Sequence, residues 1–568
     1  MGRIIGIDLG TTTSEIAYIN NGKPEIIVDV NNNRIIPSAV HLNDDGEIII
    51  GDYAKRMKLV KPERTVMEIK RKMGQNVSVK LENDYYKPYE ISSMILKKLK
   101  EYAELYLGEE VTEAVITVPA NFNDLQRNAT KRAGELAGLK VERIINEPTA
   151  AALAYGINNL DDVGKVLVYD LGGGTFDVSV LDFDSGILDV LASRGINCLG
   201  GKDFDNLIAD YILNDFYNKY GINLKNDLKC MSRITEAAEN AKIELSSVLS
   251  TEIFLPFLAI DSNQKPIDYS LKLTRSEFEN MIYDLLNSTI YKVSEALEAA
   301  KLNDKDIDIV LAVGGSSRIP LVKNLLVKRF GNKIKTKINP DEAVALGAAI
   351  QAGIKNDEIS PEDGIIITDA CYYNLGIKVA TEVGNGRIVE GIFDCLIKKD
   401  SKIPCTEKKI YTTIVDYQTE VIIDVYQGDE IFVKDNTKIR EFLLEGIPPA
   451  LKGEQQIEIT FSYSLNEILE VTAKILSTGK EITTIINILE DSDSIRGIDL
   501  EQWRECPLAE KVEKIIDFCE KRINNMKGND KQNVTITLNK LKEAVINNNE
   551  ELVDKYDVEL TDILFEID

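Results

Sequence analysis

Histidine is nearly absent from this sequence, since His41 is the only one among 568 residues. Histidine-based catalysis and metal sites built from several histidines are therefore excluded. The seven cysteines are odd in number and show no C-x-x-C spacing, so neither a disulfide framework nor a zinc site is predicted. The G-x-x-x-x-G-K-[ST] motif of P-loop proteins is missing. A signal peptide and bilayer-length apolar runs are also missing, so we expect a reducing cytoplasm and no membrane partner.

Basic residues are the minority among the charges, because 67 Lys and Arg stand against 93 Asp and Glu, a net charge of −26. This sign excludes nucleic acid as a general partner, since its phosphates would be repelled. A hydrophobic content of 44% and a charged content of 28% are ordinary for a globular protein. The length is too great for one hydrophobic core, so several domains are predicted.

The most informative feature that is present is an internal repeat. Segments 4–13 and 166–175 each contain an apolar strand, then Asp-Leu-Gly and a turn rich in Gly and Thr. Glycines let a backbone approach a ligand, and successive turn N–H groups form an anion-binding nest. Asp8 and Asp170, at the strand ends, would hold a hydrated metal ion. Two facing hairpins would clamp a polyphosphate with its cation, using Gly10, Thr11, Thr12, Thr13, Gly172, Gly173, Gly174 and Thr175.

Residues 1 to about 360 alternate strand and helix patterns, which is typical of α/β layers. A helix is predicted from about Asp124 to Ala137. Two further helices, opening near Asn146 and Pro340, consist almost entirely of small residues. Small side chains allow helices to approach closely, so these two are expected to cross between two lobes.

A third glycine turn, Gly314–Gly315, follows a strand and precedes a helix predicted from about Pro320. It would admit a flat base and sugar, on which Arg318 could stack. Another helix places Glu239, Lys242 and Ser246 on one face by their spacing. That face suits a ribose and an adenine, although taken alone it would be an ordinary solvated face.

The composition changes after residue 360. A short apolar segment within 363–369 is predicted to be an interdomain linker that docks in one state, or else a plain edge strand. Residues 370–490 alternate as antiparallel strands with one buried face. From about 500 an apolar stripe at helical spacing predicts a small helical bundle. The expected domains are 1–362, 363–369 as linker, 370–490 and 491–568.

Several of these motifs together resemble the DnaK-type heat-shock chaperones, the heat shock protein 70 family. They are Ile7–Thr12, Ile145–Ala151, Asp170–Asp177, Leu199–Asp205, Val425–Gly428 and Gly446–Ala450. The resemblance implies an actin-like ATPase domain of two lobes, a β-sandwich that binds extended peptides, and a helical lid. It also implies ATP or ADP, Mg²⁺ and K⁺ as ligands, and client peptides, a J-domain co-chaperone and an exchange factor as partners.

The resemblance assigns roles to matching residues of the ATPase domain. Lys70 matches the catalytic lysine beside the γ-phosphate, and Thr11, Thr12 and Thr175 match phosphate-contacting threonines. Asp8, Glu147 and Asp170 match the acids around magnesium and the attacking water, with Asp177 close to them. The adenosine pocket would consist of Glu239, Lys242, Ser246, Gly314, Gly315, Ser316, Arg318 and Asp341.

Further matches concern coupling and peptide binding. Pro119 and Arg127 match a relay from nucleotide to linker, and Arg143 and Asp369 match the docking positions of a J-domain protein. The peptide cleft is matched by Ile377, Tyr411, Val421 and Ile423, and the arch over it by Ala380 and Ile414.

Departures from the family pattern resemble a compact, HscC-like branch. Asn121 replaces the relay's usual tyrosine, Lys202 replaces the usual acid after Gly-Gly, and 368–373 reads Thr-Asp-Ala-Cys-Tyr-Tyr. Two other proteins with an actin-like core are alternatives: a small-molecule kinase and a filament-forming relative. Neither has a use for the apolar linker and the β region, so an ATP-driven chaperone is the favoured prediction.

Overall fold

The computed structural model describes residues 3–156, 164–184, 186–261, 264–335, 339–359, 366–383, 387–464, 469–486, 504, 506, 508–523 and single positions from 534 to 564. The chain divides into two compact units, Met1–Ile488 and Leu489–Asp568. The expected boundaries at 362/363 and 490/491, and Ile365 of the expected linker, lie outside the described residues. In the described part of the chain, no helix is both long and apolar enough to cross a membrane.

The first lobe is an α/β layer whose largest sheet has the order β11-β10-β1-β2-β3. Its elements are β1 (Ile4–Asp8), β2 (Thr13–Asn20), β3 (Lys23–Ile27), β4 (Ile36–Pro37), β5 (Ala39–Leu42), β6 (Ile48–Ile50), α1 (Asp52–Met57), β7 (Thr65–Met67), β8 (Val79–Leu81), β9 (Asp84–Tyr86), α2 (Pro88–Leu107), β10 (Glu113–Val118), α3 (Asp124–Leu136), β11 (Lys140–Asn146) and α4 (Glu147–Gly156).

The second lobe has a corresponding sheet, which includes a strand from the expected linker. Its elements are β12 (Gly164–Leu171), β13 (Phe176–Asp184), β14 (Ile187–Ile196), α5 (Gly201–Tyr220), α6 (Leu228–Leu245), β15 (Ser250–Ile260), β16 (Pro266–Thr274), α7 (Arg275–Ala299), β17 (Ile309–Val313), α8 (Pro320–Phe330), β18 (Ile334–Lys335) and β19 (Ile366–Ala370). Helix α9 (Ala343–Lys355) precedes β19 and packs against β1 and β2 of the first lobe.

The topology of the two sheets bears out the internal repeat. Strand β1 pairs antiparallel with β2 and parallel with β10. In the second lobe, β12 pairs antiparallel with β13 and parallel with β17. Each Asp-Leu-Gly turn therefore joins a central strand to its hairpin partner, and the predicted two-lobed α/β domain is confirmed.

The two helices of small residues cross as expected. An added Cβ at Gly347 of α9 would lie 1.8 Å from the Ala150 carbonyl oxygen of α4. An added Cβ at Gly6 of β1 would lie 2.1 Å from the Ala349 nitrogen of α9. Only glycine permits both approaches, so these small residues bring the backbones of α4, α9 and β1 together between the lobes.

Two four-stranded sheets, β21-β20-β24-β25 and β23-β26-β27-β28, form the β domain. Its strands are β20 (Leu375–Val383), β21 (Arg387–Ile397), β22 (Lys402–Ile403), β23 (Cys405–Thr412), β24 (Glu420–Gln427), β25 (Thr437–Glu445), β26 (Gln456–Tyr463), β27 (Leu469–Ile475) and β28 (Glu481–Ile486). Alternate residues of both sheets share one core, including Val425, Ile459, Phe461 and Val471. The predicted antiparallel sandwich is confirmed.

Strand β19 connects this domain to the second lobe. It pairs parallel with β14 through Ile366, Ile367 and Thr368, and antiparallel with β22 through Asp369 and Ala370. The apolar segment is thus an interior strand in this conformation. In the second unit, helix α10 (Ala509–Ile523) packs an apolar stripe against Leu538, Leu541 and Val553, in agreement with the predicted helical tail.

Candidate functional site

A cavity of about 620 Å³ lies where the two Asp-Leu-Gly hairpins face each other. Most of the residues that the sequence predicted for nucleotide and metal line it: Asp8, Gly10, Thr11, Thr12, Thr13, Lys70, Glu147, Asp170, Gly172, Gly173, Thr175, Glu239, Lys242, Ser246, Gly314, Gly315, Ser316, Arg318 and Asp341. Gly174, which follows Gly173, does not line the cavity. Its carbonyl oxygen accepts a hydrogen bond from Arg71 at 3.1 Å. Residues more than 300 positions apart in sequence are therefore brought into one space.

The two hairpins touch through their Gly and Thr residues. A Cβ added at Gly173 would lie 2.6 Å from Thr12 Oγ1, and one at Gly174 would lie 2.5 Å from Thr11 Cγ2. The missing side chains let the two turns meet with backbone N–H groups and hydroxyls facing one space. This arrangement suits a polyphosphate held from both sides.

Beside the turns lies a buried ion pair. Lys70 is only 3% exposed and its ammonium contacts Glu147 Oε1. Lys70 belongs to a short 3₁₀ helix, Ile69–Lys72, whereas Glu147 is the first residue of α4. The lysine and the acid for which the sequence predicts catalytic roles are thus direct partners.

The acids around this pair carry more negative charge than Lys70 balances. Burial raises the pKa of Asp8, Glu147 and Asp170, although Lys70 acts to lower each of them. Burial also raises the pKa of Asp177 to about 6, against two hydrogen bonds from Asn121. Carboxylate oxygens are the ligands that Mg²⁺ prefers, and a cation here would relieve the repulsion among them. Asp8 and Asp170 therefore fit the predicted metal site.

The opposite end of the cavity has the groups predicted for adenosine. Lys242 contacts Asp205 at 2.8 Å, Glu239 contacts Lys55 at 3.0 Å, and Ser316 donates to the Gly172 carbonyl oxygen at 2.9 Å. Arg318 lies at the rim, half exposed, with its guanidinium 2.5 Å from Asp341. Its planar group is positioned to cover a flat base entering beside Gly315.

Sequence reasoning missed three charged residues that line the cavity: Glu15, Lys202 and Asp205. Glu15 lies directly opposite Asp8 in the β1–β2 register and is 2% exposed. Strand alternation was the available signal, because residue 15 shares a face of β2 with Thr13. Lys202 was noted only as a departure from the family pattern, and its partners could not be read from sequence.

A hydrogen-bonded path leads from the cavity to β19. Asn146, the neighbour of Glu147, accepts from Arg127 at 2.7 Å and donates to Asp369 at 2.9 Å. The Tyr372 hydroxyl lies 2.5 Å from Asp369 and 2.6 Å from the Asn146 amide. Arg127 also donates to the carbonyls of Ala120 and Phe122, holding the loop that follows the buried Pro119. Of the relay residues predicted from sequence, Arg127 is thus connected to the linker strand through Asn146.

A second path uses residues that depart from the family pattern. Asn121 donates to Asp177 from its side-chain amide at 2.7 Å and from its backbone at 3.1 Å. The Tyr373 hydroxyl donates to the Asn121 carbonyl oxygen. Arg143, which was predicted with Asp369 for co-chaperone docking, contacts Gln351 of α9 at 2.9 Å. Asp369 itself is buried in the network with Asn146 and Tyr372.

The β domain contacts both lobes. Asp124 of α3 meets Gln427 and the Tyr463 hydroxyl, and Leu125 packs on the core of the sandwich. In the second lobe, Arg194 and Asp400 form two hydrogen bonds of 2.9 and 2.8 Å, and Lys402 contacts Asp189. The conformation is therefore one in which the β domain is docked on the ATPase domain.

Four of the six predicted peptide residues, Ile377, Tyr411, Val421 and Ile423, belong to one hydrophobic cluster but differ in exposure. Ile377 and Ile423 are buried inside the sandwich, whereas Val421 and Tyr411 lie at its edge. The Tyr411 hydroxyl donates to Asp394 at 2.7 Å. Ala380 is half-buried on β20, and Ile414 is exposed beyond the end of β23.

Comparisons with known proteins agree along most of the chain. The sequence model of a family described as Hsp70 protein matches residues 4–562. Chaperone protein DnaK of Thermotoga neapolitana is 46% identical over 485 residues, covering 85% of this chain and 80% of that protein. DnaK of Thermotoga maritima gives the same figures. DnaK of Thermosipho melanesiensis is 42% identical over 563 residues, covering 96% of this chain and 93% of its own.

Proposed function

The chain belongs to the Hsp70 family, and from this premise we propose that it is an ATP-dependent chaperone that binds extended apolar segments of unfolded proteins. ATP binding and hydrolysis would switch its affinity for them. The observation that carries the proposal is the continuous connection from the Lys70–Glu147 pair through Asn146 to Asp369 and the docked β domain. A nucleotide site alone would not require that connection.

Hydrolysis would depend mainly on positioning and charge, because phosphoryl transfer to water needs little covalent chemistry. Lys70 would stabilise charge on the transferred phosphate, Glu147 would orient the attacking water, and Thr175 would donate to a phosphate oxygen. Asp8 and Asp170 would hold Mg²⁺ through water, and the ion would neutralise phosphate charge. The excess of buried carboxylates in this part of the cavity also suits K⁺.

A small-molecule kinase with the same core is the alternative. It would leave the β domain, the β19 strand and the Asp124–Gln427 contact without a role. Hydrolysis of ATP stimulated by an unfolded peptide supports the chaperone, whereas phosphate transfer to a member of a sugar panel would support the kinase. The partners that we propose are client peptides, a J-domain co-chaperone and an exchange factor. None of the seven cysteines, all of which the structure describes, forms a disulfide, and this suits a reducing cytoplasm.

Peptide binding at Val421 is tested by enlarging this side chain. Val421→Phe would overfill the cleft in which we propose that a client side chain binds, and overpacking of this kind typically costs about 1–3 kcal/mol. Since about 1.4 kcal/mol corresponds to a factor of ten, the affinity for a Leu-rich peptide in ADP should fall about tenfold. Fluorescence anisotropy measures this change. Ile422→Phe is the matched control, because Ile422 is the next residue and is 59% exposed. Equal affinities for Val421→Phe and wild type would remove this cleft from the proposal.

Coupling through the linker is tested at Asp369. Asp369→Asn removes a buried carboxylate that accepts from Asn146 and from the Ala370 backbone at 2.9 Å each. Losing hydrogen bonds to a charged group costs about 1.5–3 kcal/mol, which should shift the docked conformation about tenfold toward the undocked one. ATP-triggered peptide release and stimulation by a J-domain protein should both weaken. Asp357→Asn, at an exposed position, is the control. Wild-type release and stimulation in Asp369→Asn would contradict this route.

A further inference from the structure

We propose that Lys202 is a positioning residue for ATP hydrolysis, which together with Asp203 holds the segment carrying Lys70 from the opposite lobe. Lys202 and Asp203 lie at the beginning of α5 in the second lobe, whereas Glu68–Arg71 belongs to the first. The inference rests on the proposed function, because it assumes that Lys70 acts on the transferred phosphate. In this role the two residues at the beginning of α5 would keep Lys70 in place.

Lys202 is held among acids from both lobes. Its ammonium lies 3.4 Å from Glu68, 3.7 Å from Asp205 and 3.8 Å from Glu239, and its side chain is 6% exposed. Burial acts to lower the pKa of Lys202, but Glu68 and the other two acids outweigh it, so the pKa is raised. The side chain therefore remains a cation. A buried charge of this kind costs free energy unless it is paired, so its partners become fixed relative to one another.

Glu68 is the partner that leads to Lys70. Its backbone has φ 58° and ψ 27°, the left-handed region that a residue with a long side chain rarely adopts. It immediately precedes the short helix Ile69–Lys72. A backbone held in an uncommon conformation persists where surrounding contacts fix it. Lys202 belongs to the other lobe, and its contact with Glu68 fixes the beginning of the segment that carries Lys70.

Arg71 forms the second contact that holds the same segment. Its guanidinium contacts Asp203 at 2.6 and 3.3 Å and donates to the Gly174 carbonyl oxygen at 3.1 Å. The segment that carries Lys70 thus has an acid, Glu68, and a base, Arg71. They pair with a base and an acid at the beginning of α5, Lys202 and Asp203. Lys70 lies between the two contacts and reaches Glu147 on its other side. Both ends of the segment are therefore fixed by opposite charges when the lobes are closed.

Another role of Lys202 would give a different result. Lys202 also lies near Glu239 and Asp205, which line the adenosine end of the cavity. If its charge served nucleotide affinity there, its loss would change the dissociation constant of ATP and leave the hydrolysis step unchanged. A positioning role predicts the reverse, because a small displacement of a catalytic group slows the chemical step.

The test measures single-turnover ATP hydrolysis and ATP affinity separately in full-length variants. Lys202→Gln should slow hydrolysis about tenfold, as expected for a displaced catalytic group, with the ATP dissociation constant nearly unchanged. Lys202→Arg keeps the charge and should restore most of the rate. Lys202→Glu should be slower still, because its carboxylate would be repelled by Glu68, Asp205 and Glu239. Lys225→Gln, an exposed lysine beyond the end of α5, is the control.

Hydrogen exchange gives a readout that does not depend on activity. In the ADP complex, amides of residues 68–73 should exchange faster in Lys202→Gln than in wild type or Lys225→Gln. Weaker ATP binding with a wild-type hydrolysis rate, or unchanged exchange with a wild-type rate, would overturn the inference. If Lys70→Ala hydrolyses ATP like wild type, the proposed function itself fails at that residue. Slow hydrolysis in Lys70→Ala beside full activity in Lys202→Gln would remove only the positioning role.

Discussion

Lys70→Ala should bind ATP and hydrolyse it more slowly by a factor of about one hundred or more, the loss typical for removing one preorganised electrostatic donor. The reason lies in the charge of the site. Lys70 is buried against Glu147, and it acts on the pKa of Asp8, Glu147 and Asp170 in the direction opposite to burial. Without its ammonium, the transferred phosphate would face carboxylates and lose the cation that stabilises developing charge.

Single-turnover hydrolysis measures the chemical step, and a fluorescent ATP analogue measures binding. Lys72→Ala is the matched control, because Lys72 belongs to the same short helix and is exposed. Its hydrolysis rate should be close to that of wild type. A Lys70→Ala rate within a few-fold of wild type would show that another group neutralises the phosphate.

Gly347→Ala should destabilise the ATPase domain strongly. The added Cβ would lie 1.8 Å from the Ala150 carbonyl oxygen and 2.3 Å from its carbonyl carbon. These are backbone atoms of a buried helix, so α4 and α9 must separate. Overpacking a buried site typically costs about 1–3 kcal/mol, and more where the backbone must move. We expect a cost at or above the upper end of this range, seen as a lower midpoint in thermal unfolding.

Gly353→Ala is the comparison that isolates this contact. It lies in the same helix, and both substitutions gain the same helix propensity, about 0.5–1 kcal/mol. At Gly353 the added Cβ would meet side-chain atoms, Ile19 Cγ1 at 2.5 Å and Ile359 Cδ1 at 3.2 Å. Side chains shift more easily than a helix backbone, so this variant should unfold much closer to wild type. Equal midpoints for the two variants would mean that the crossing is not a rigid contact.

Sequence reasoning was most successful where local pattern and chemistry coincide. The repeated Asp-Leu-Gly turns predicted two facing hairpins, and the small-residue helices predicted a close crossing, which the structure places at Gly347. Period-two alternation predicted the sandwich, because successive side chains of a strand point to opposite faces. Each of these features is decided by neighbours within a few residues. The residues of the nucleotide cavity followed from the motifs that the resemblance supplied.

The partners across the lobes could not be predicted in this way. Lys202 is separated from Glu68 by more than one hundred positions, and the charge of Lys202 does not predict which acid is its partner. Glu15 has an ordinary position on a strand, and only the β1–β2 register shows that it faces Asp8. The burial of Ile377 and Ile423 likewise depends on how two sheets pack.

By itself, the sequence determined the repeat, the chemistry of a site for a polyphosphate and its cation, and the order of an α/β domain, a β domain and a helical tail. These follow from residue type, spacing and periodicity, which act locally. The tertiary structure alone decided that β19 joins the second lobe's sheet and that Asp124 forms a hydrogen bond with Gln427. It also decided that Lys202 of α5 contacts the segment carrying Lys70. These contacts join distant parts of the chain, and a pair of charges has a partner only when the fold fixes the distance between them.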